Sequence, residues 1–202
     1  MCRADRLQAI ERKPNLTNVQ TALIHAGAGG VGSIAIQLAK LHDIKVITTV
    51  SSRKRNFVED LQPAAIIDYQ AENVTKCLME LTAGQGADLI INTVGQTEAE
   101  KDLQRLAYNG QLVTIVDVPK LETTAMLERG LSLEAVNLGG AHRSNNLAQH
   151  AELGQMNAEL LRVGSTGKVK PQIDQVLPFS KIKAGLQAVK NHAVTGKLVV
   201  TI

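Results

Sequence analysis

Four glycines between residues 27 and 32, in the run Gly27-Ala28-Gly29-Gly30-Val31-Gly32, are the first residues whose spacing could do chemistry. Gly27, Gly29 and Gly32 read as Gly-x-Gly-x-x-Gly. In such a loop the first glycine permits a tight turn, the second lets backbone approach a pyrophosphate, and the third lets helix pack on strand. The pattern alone is weak, because glycine-rich turns are common. Its context strengthens it: the apolar run Thr21 to Ala26 precedes it, and Ile34, Ile36, Leu38 and Leu41 follow without a breaker. That is strand, turn, helix, and the unpaired N–H groups opening the helix would face phosphates. The plain alternative is an ordinary strand-to-helix turn.

A second run with chemical potential is Ser51-Ser52-Arg53-Lys54-Arg55, directly after a β-branched stretch, Ile44 to Val50. In a dinucleotide-binding unit this position meets the adenosine ribose, where an Asp or Glu would bond a 2′-hydroxyl. No carboxylate lies between Asp43 and Glu59. Hydroxyls and guanidinium groups suit a 2′-phosphate instead, which points to NADPH. The alternative is that the basic run merely opens an exposed helix.

Other reactive side chains carry less. His25 adjoins the glycine loop and reads as a polar strand-end residue near the phosphates, rather than an acid–base group. His142, His150 and His192 are scattered, without metal-ligand spacing, and read as surface residues. Cys77 reads as a small core residue. Cys2 and Cys77 are too far apart in sequence to suggest a disulfide framework or a zinc site. Asp117 follows the fifth strand and reads either as a contact for the nicotinamide ribose or as a loop carboxylate. No metal site is expected, and no catalytic residue can be named.

The elements that must position these residues alternate. Strands are expected at 21–26, 44–50, 65–68, 87–94, 110–116 and 131–138. Helices are expected after the glycine loop, to about Leu61, and over 72–83, 98–107, 121–129 and 146–163. Alternating strands and helices argue for parallel βαβ units, hence a doubly wound α/β sheet of Rossmann type in order 3-2-1-4-5-6. Residues 168–179 look extended, 180–190 helical and 197–202 a final strand. Before all this, residues 4–12 carry helical spacing that Pro14 and Asn15 end.

Composition sets bounds. The 202 residues are 44% hydrophobic but only 2% aromatic, without Trp, so the core must be aliphatic. A net charge of +3 is too mild to argue for nucleic acid or membrane. The charged start and the lack of a long apolar run lead to the expectation of a cytoplasmic protein.

With these pieces in place, the chain resembles the medium-chain dehydrogenase/reductase superfamily, in its quinone oxidoreductase-like branch. The resemblance rests on HAGAGGVGSIAIQLAK, TTVSSRKR, AIIDYQAENV, GADLIINTVG, GQLVTIV and the closing FSKIKAGLQAVKNHAVTGKLVVTI, in order over residues 15–202. It implies NADPH-dependent reduction of a quinone, enone or related carbonyl. It implies pyrophosphate contacts at Gly27, Ala28, Gly29, Gly30, Val31 and Gly32, and 2′-phosphate contacts at Ser51, Ser52, Arg53 and Arg55. Tyr69 would lie near the adenosine end, and Thr93, Val94, Gly95 and Val116 near the nicotinamide. It also implies a homodimer paired along the sixth strand.

The family places a barrel-like catalytic domain before this region, where about twenty residues stand here. The expected organisation is therefore a linker helix over 1–20, an NADP-binding domain over 21–165, and a segment over 166–202 that in the family returns to the absent catalytic domain. A non-catalytic, NADPH-sensing module is the alternative reading. A short-chain reductase is disfavoured because no Tyr-x-x-x-Lys follows either tyrosine. A methyltransferase is disfavoured because Ser51 stands where an acidic residue is usual.

Overall fold

The computed structural model describes residues 7–121 and 123–202. Six parallel strands form one sheet: β1 (Thr21–Ile24), β2 (Lys45–Val50), β3 (Ala65–Asp68), β4 (Ala87–Asn92), β5 (Leu106–Thr114) and β6 (Ser132–Ala135). Their order is β3-β2-β1-β4-β5-β6, as the alternation predicts.

Side chains alternate across the sheet because successive Cβ atoms point to opposite faces. Ala22 and Ile24 of β1, with Leu89 and Ile91 of β4, enter one core; Leu23 and Ile90 enter the other. Both faces are apolar because helices cover both, the rule for parallel sheets. On the first face α2 (Gly32–Leu41) contributes Ile34, Ile36 and Leu38. On the second, α4 (Val74–Leu81) contributes Val74 and Leu78, and α5 (Gln96–Arg105) contributes Ala99. A short α3 (Arg55–Glu59) separates β2 from β3.

Of the helix expected over residues 4–12, positions 4–6 lie outside the described residues, as does Cys2. Residues Gln8–Arg12 form a short π-wound helix, α1, whose Ala9 and Ile10 join the first core. It packs as part of the domain rather than standing apart from it.

The boundary between α5 and β5 differs from the expectation. The helix stops at Arg105, and β5 begins at Leu106, which pairs with Ala87. The ladder then slips, and Leu89 pairs with Gln111. Tyr108 is exposed and Asn109 has φ 59°. The polar stretch therefore bulges out of a strand that continues on both sides.

α6 (Thr123–Arg129) precedes β6, and α7 (Leu138–Arg143) and α8 (Leu147–Ser165) follow it. Asn146 caps α8 by accepting from the N–H groups of Ala148 and Gln149. The remaining chain forms a parallel pair, β7 (Ile173–Pro178) and β8 (Lys197–Thr201), with α9 (Ile182–Lys190) between them in sequence. Gly185 lets α9 approach Leu177 and Leu198 closely. No described helix is long and apolar enough to cross a membrane.

Candidate functional site

The glycine loop joins the C-terminal end of β1 to α2. The first and last of its spacing positions have a steric reason. A Cβ on Gly27 would strike Thr48 Oγ1, and one on Gly32 would strike the Ala26 carbonyl. Gly30, outside the motif, carries the end of the Lys197 side chain over it, where a Cβ would displace that side chain. The turn is closed by Gly29 N–H donating to Ala26 O at 2.8 Å and Gly27 N–H donating to Thr49 O at 3.0 Å. Ser33 and Ala35 amides bond back to Gly29 and Val31 carbonyls. Among the described residues, the amides of Val31 and Gly32 make no hydrogen bond to protein. The Ser33 hydroxyl beside them is buried without a partner. Two open amides at the start of a ten-residue helix, under a backbone with no Cβ in the way, make a cradle that fits a pyrophosphate.

Beside the loop, at the C-terminal ends of the strands, lies a cavity of about 570 Å³. Tyr69, Thr93 and Val94, each expected from the sequence, line it, and Ala26 brings the glycine loop to its edge. Gly95 follows with φ 143°, a conformation open essentially to glycine alone. Val116 is exposed beyond the end of β5 and does not line the cavity.

The serine–arginine run lies outside the cavity lining, at the end of β2. Ser51 is buried. Ser52 Oγ donates to Asp68 Oδ2. That hydrogen bond, with one from the Gln70 backbone, holds the Asp68 carboxyl below its usual range against the effect of burial. The carboxylate missing from the sequence near Ser52 is thus supplied in space by the next strand. Arg53 is exposed, and Arg55 Nε pairs with Glu59 Oε1 at 3.1 Å. Lys54 turns away to donate to Val194 O at 2.6 Å. Burial lowers the Lys54 pKa, with Asp174 opposing and Arg53 reinforcing the shift.

The floor of the cavity was not legible in the sequence. His25 is buried, with Nδ1 at 3.2 Å from Thr49 Oγ1 and Nε2 at 2.9 Å from Asp102 Oδ1. A carboxylate only accepts, so Nε2 carries the proton. Asp102 also accepts from Asn92 Nδ2 and Arg105 Nη1, each at 2.7 Å. Arg105 continues to Glu98 and, through Nε, to Thr75 Oγ1 at 2.8 Å. Burial alone would raise the Asp102 pKa; electrostatic interaction with His25 and hydrogen bonds from His25, Asn92 and Arg105 hold it low instead. Burial likewise opposes ionised Glu98, which Arg105 and Lys101 keep below the usual range. Asn92 Oδ1 accepts from the Val94 and Gly95 amides at 2.9 and 3.0 Å. The buried network therefore reaches the loop that borders the cavity.

His25 stands at the end of β1 beside the glycine loop, and the structure adds that it is buried and bonded to Asp102. The rings of His142 and His150, read as scattered, lie with centroids 5.6 Å apart, tilted by 39°. His192 is exposed and lines the cavity. Cys77 is half-buried against the second core.

Comparison with known proteins agrees with this geometry. A family model described as zinc-binding dehydrogenase matches residues 62–200. The chain is 29% identical over 198 residues to a quinone oxidoreductase-like protein 2 homolog of Nematostella vectensis, covering 95% of this chain and 53% of that protein. It is 31% identical over 194 residues to the mitochondrial NAD(P)H oxidoreductase RTN4IP1 of Danio rerio, covering 89% of this chain and 48% of that protein. The chain thus spans about half the length of these relatives. Among solved structures, an alcohol dehydrogenase superfamily protein from Novosphingobium aromaticivorans superposes with a TM-score of 0.85 at 25% identity, over 98% of this chain and 60% of that one. A mycobacterial protein solved in complex with NADPH gives 0.79 at 25% identity, over 98% and 62%. With a glycine loop, a 3-2-1-4-5-6 sheet and a family model matching well over half its residues, the chain belongs to the zinc-binding dehydrogenase family, within the quinone oxidoreductase-like medium-chain dehydrogenases/reductases.

Proposed function

We propose that this chain is the NADPH-binding domain of a reductase that transfers hydride to a quinone, enone or related carbonyl. The observation that carries the reading is the pair of open amides, Val31 and Gly32, at the start of α2 beside the cavity. NADPH, when bound, supplies the hydride; the protein positions it. In this reading Gly27 to Gly32 hold the pyrophosphate. Ser51, Ser52, Arg53 and Arg55 hold the 2′-phosphate, and Tyr69 flanks the adenosine. Thr93, Val94, Gly95 and Val116 border the nicotinamide half. Residues 21–165 are then the cofactor domain, and 166–202 an appended segment whose Val176, Phe179, Leu186 and Val189 are exposed and would meet further protein.

The family's name carries zinc, and His25, Glu98 and Asp102 do gather ligand atoms within 4.8 Å. The donor set does not fit a divalent cation, because Arg105 already lies between the two carboxylates as their counter-charge. We assign it no metal chemistry.

The test is titration of NADPH with the chain, followed by its nicotinamide fluorescence. Saturable enhancement is the expected result. A chain that leaves NADPH fluorescence unchanged would overturn the reading.

The reading also includes a homodimer. β6 is an edge strand of the main sheet, and unpaired edges favour partners. Sedimentation at micromolar concentration should give about twice the chain mass, and a clean monomer would count against it.

A further inference from the structure

The buried His25 is tied to the backbone of the loop that follows it through a single hydroxyl. Thr49 Oγ1 accepts from the Ala26 amide at 3.1 Å and lies 3.2 Å from His25 Nδ1. With Nε2–H given to Asp102, Nδ1 is the ring's remaining polar atom. Among the described residues the Thr49 hydroxyl has no other acceptor for its own proton. It therefore donates to Nδ1, and its oxygen is left facing the Ala26 N–H. Ala26 needs that grip. Its φ is 52°, a left-handed conformation that a residue with a Cβ keeps only where its surroundings fix it. Thr49 holds two successive amides, Ala26 by its hydroxyl and Gly27 by its carbonyl at 3.0 Å. The Ala26 carbonyl then closes the turn by accepting from Gly29 N–H at 2.8 Å.

Resting on the cofactor reading above, we infer that Thr49 and His25 are positioning residues for dinucleotide binding. Asp102 sets the His25 ring, and the ring takes the Thr49 proton. The hydroxyl oxygen aimed in this way holds Ala26 left-handed, and with it the bend that leads to the Val31 and Gly32 amides. The two side chains act through the backbone turn rather than by touching the ligand. Loss of the hydroxyl would leave the Ala26 amide and His25 Nδ1 without their partner and free the turn to relax toward an ordinary conformation. The turn serves NADPH and NADH alike, so the effect is separable from that of Arg53 and Arg55.

The experiment is calorimetric titration of the full chain and its Thr49→Val and Thr49→Ser variants with NADPH, NADH and adenosine 2′-monophosphate, which has no pyrophosphate. Thr49→Val keeps the branched shape and gives up the hydroxyl. It should lose about fivefold in affinity for both dinucleotides, the order of one hydrogen bond. It should bind adenosine 2′-monophosphate unchanged, a split that general loosening of the fold would not produce, and Thr49→Ser should keep most of the wild-type affinity. In the wild type, nitrogen-15 spectra of the imidazoles should show the His25 proton on Nε2 and an unprotonated, hydrogen-bonded Nδ1, a readout that needs no variant to fold. Unchanged dinucleotide affinity in a folded Thr49→Val, a loss confined to NADPH, an equal loss for adenosine 2′-monophosphate, a Thr49→Ser no better than Thr49→Val, or a proton on Nδ1 would overturn the proposal. In those cases wild-type binding would leave the cofactor reading standing. Absence of wild-type binding to either dinucleotide would overturn both.

Discussion

Replacing Asp102 with alanine should cost about 3–5 kcal/mol of stability, the usual range for removing one partner of a buried ion pair. The carboxylate is fully buried and is the hub joining His25, Asn92 and Arg105. Its loss strands the proton on His25 Nε2 and one amide hydrogen of Asn92, and leaves Arg105 with Glu98 and Thr75. For a chain of this size the melting temperature should fall by about 10 °C, as thermal unfolding followed by circular dichroism would show. Asp102→Asn should cost less, since it keeps the shape while removing the charge. The pH dependence has a definite sign. The folded-state pKa of Asp102 is depressed, so its contribution is fully present above the ordinary carboxylate value of about 4. It is lost as pH falls through the lowered folded-state value. Asp102→Asn should therefore flatten the acid limb of the stability curve. An unaltered acid limb would show that the pair carries no such linkage.

The second large effect concerns cofactor choice. Replacing Arg53 and Arg55 together by alanine should weaken NADPH by about tenfold or more and leave NADH nearly unchanged. A charge-assisted hydrogen bond contributes about 1.5–3 kcal/mol when well formed. Arg55 must first leave Glu59, but an exposed i,i+4 pair is worth only about 0.3–0.5 kcal/mol, so the phosphate contact wins. Ionised Asp68 beside Ser52 works against a phosphate, and solvent screens both arginines. These terms keep the preference nearer tenfold than a hundredfold. Comparable losses for both nucleotides would instead place the arginines on a solvated helix start.

Much of the fold could be read in advance because parallel strands buried on both faces appear as continuous apolar runs. Leu89 to Ile91 within β4 is one such run, and the glycine loop marks where the first of them turns into a helix. The start of β5 could not, because Tyr108-Asn109-Gly110 has the composition of a turn and only the register slip keeps it within a strand. The cavity floor was hidden for a different reason. Asp102 and His25 are 77 residues apart in sequence, and Glu-Ala-Glu-Lys-Asp reads as a solvated helix face. A signal existed nonetheless. Glu98, Asp102 and Arg105 stand at i, i+4 and i+7 on the face of α5 that should be apolar, and charges there need buried partners. Nor could the sequence show that Asp68 would reach Ser52, since that contact needs β3 laid beside β2.

The most direct test of the central claim is calorimetric titration of the wild-type chain with NADPH and with NADH, at low and high salt. The account predicts a single saturable site for each, with NADPH tighter by about tenfold or more at low salt and the gap narrowing as salt screens the 2′-phosphate. No heat of binding from either nucleotide at millimolar concentration would contradict it.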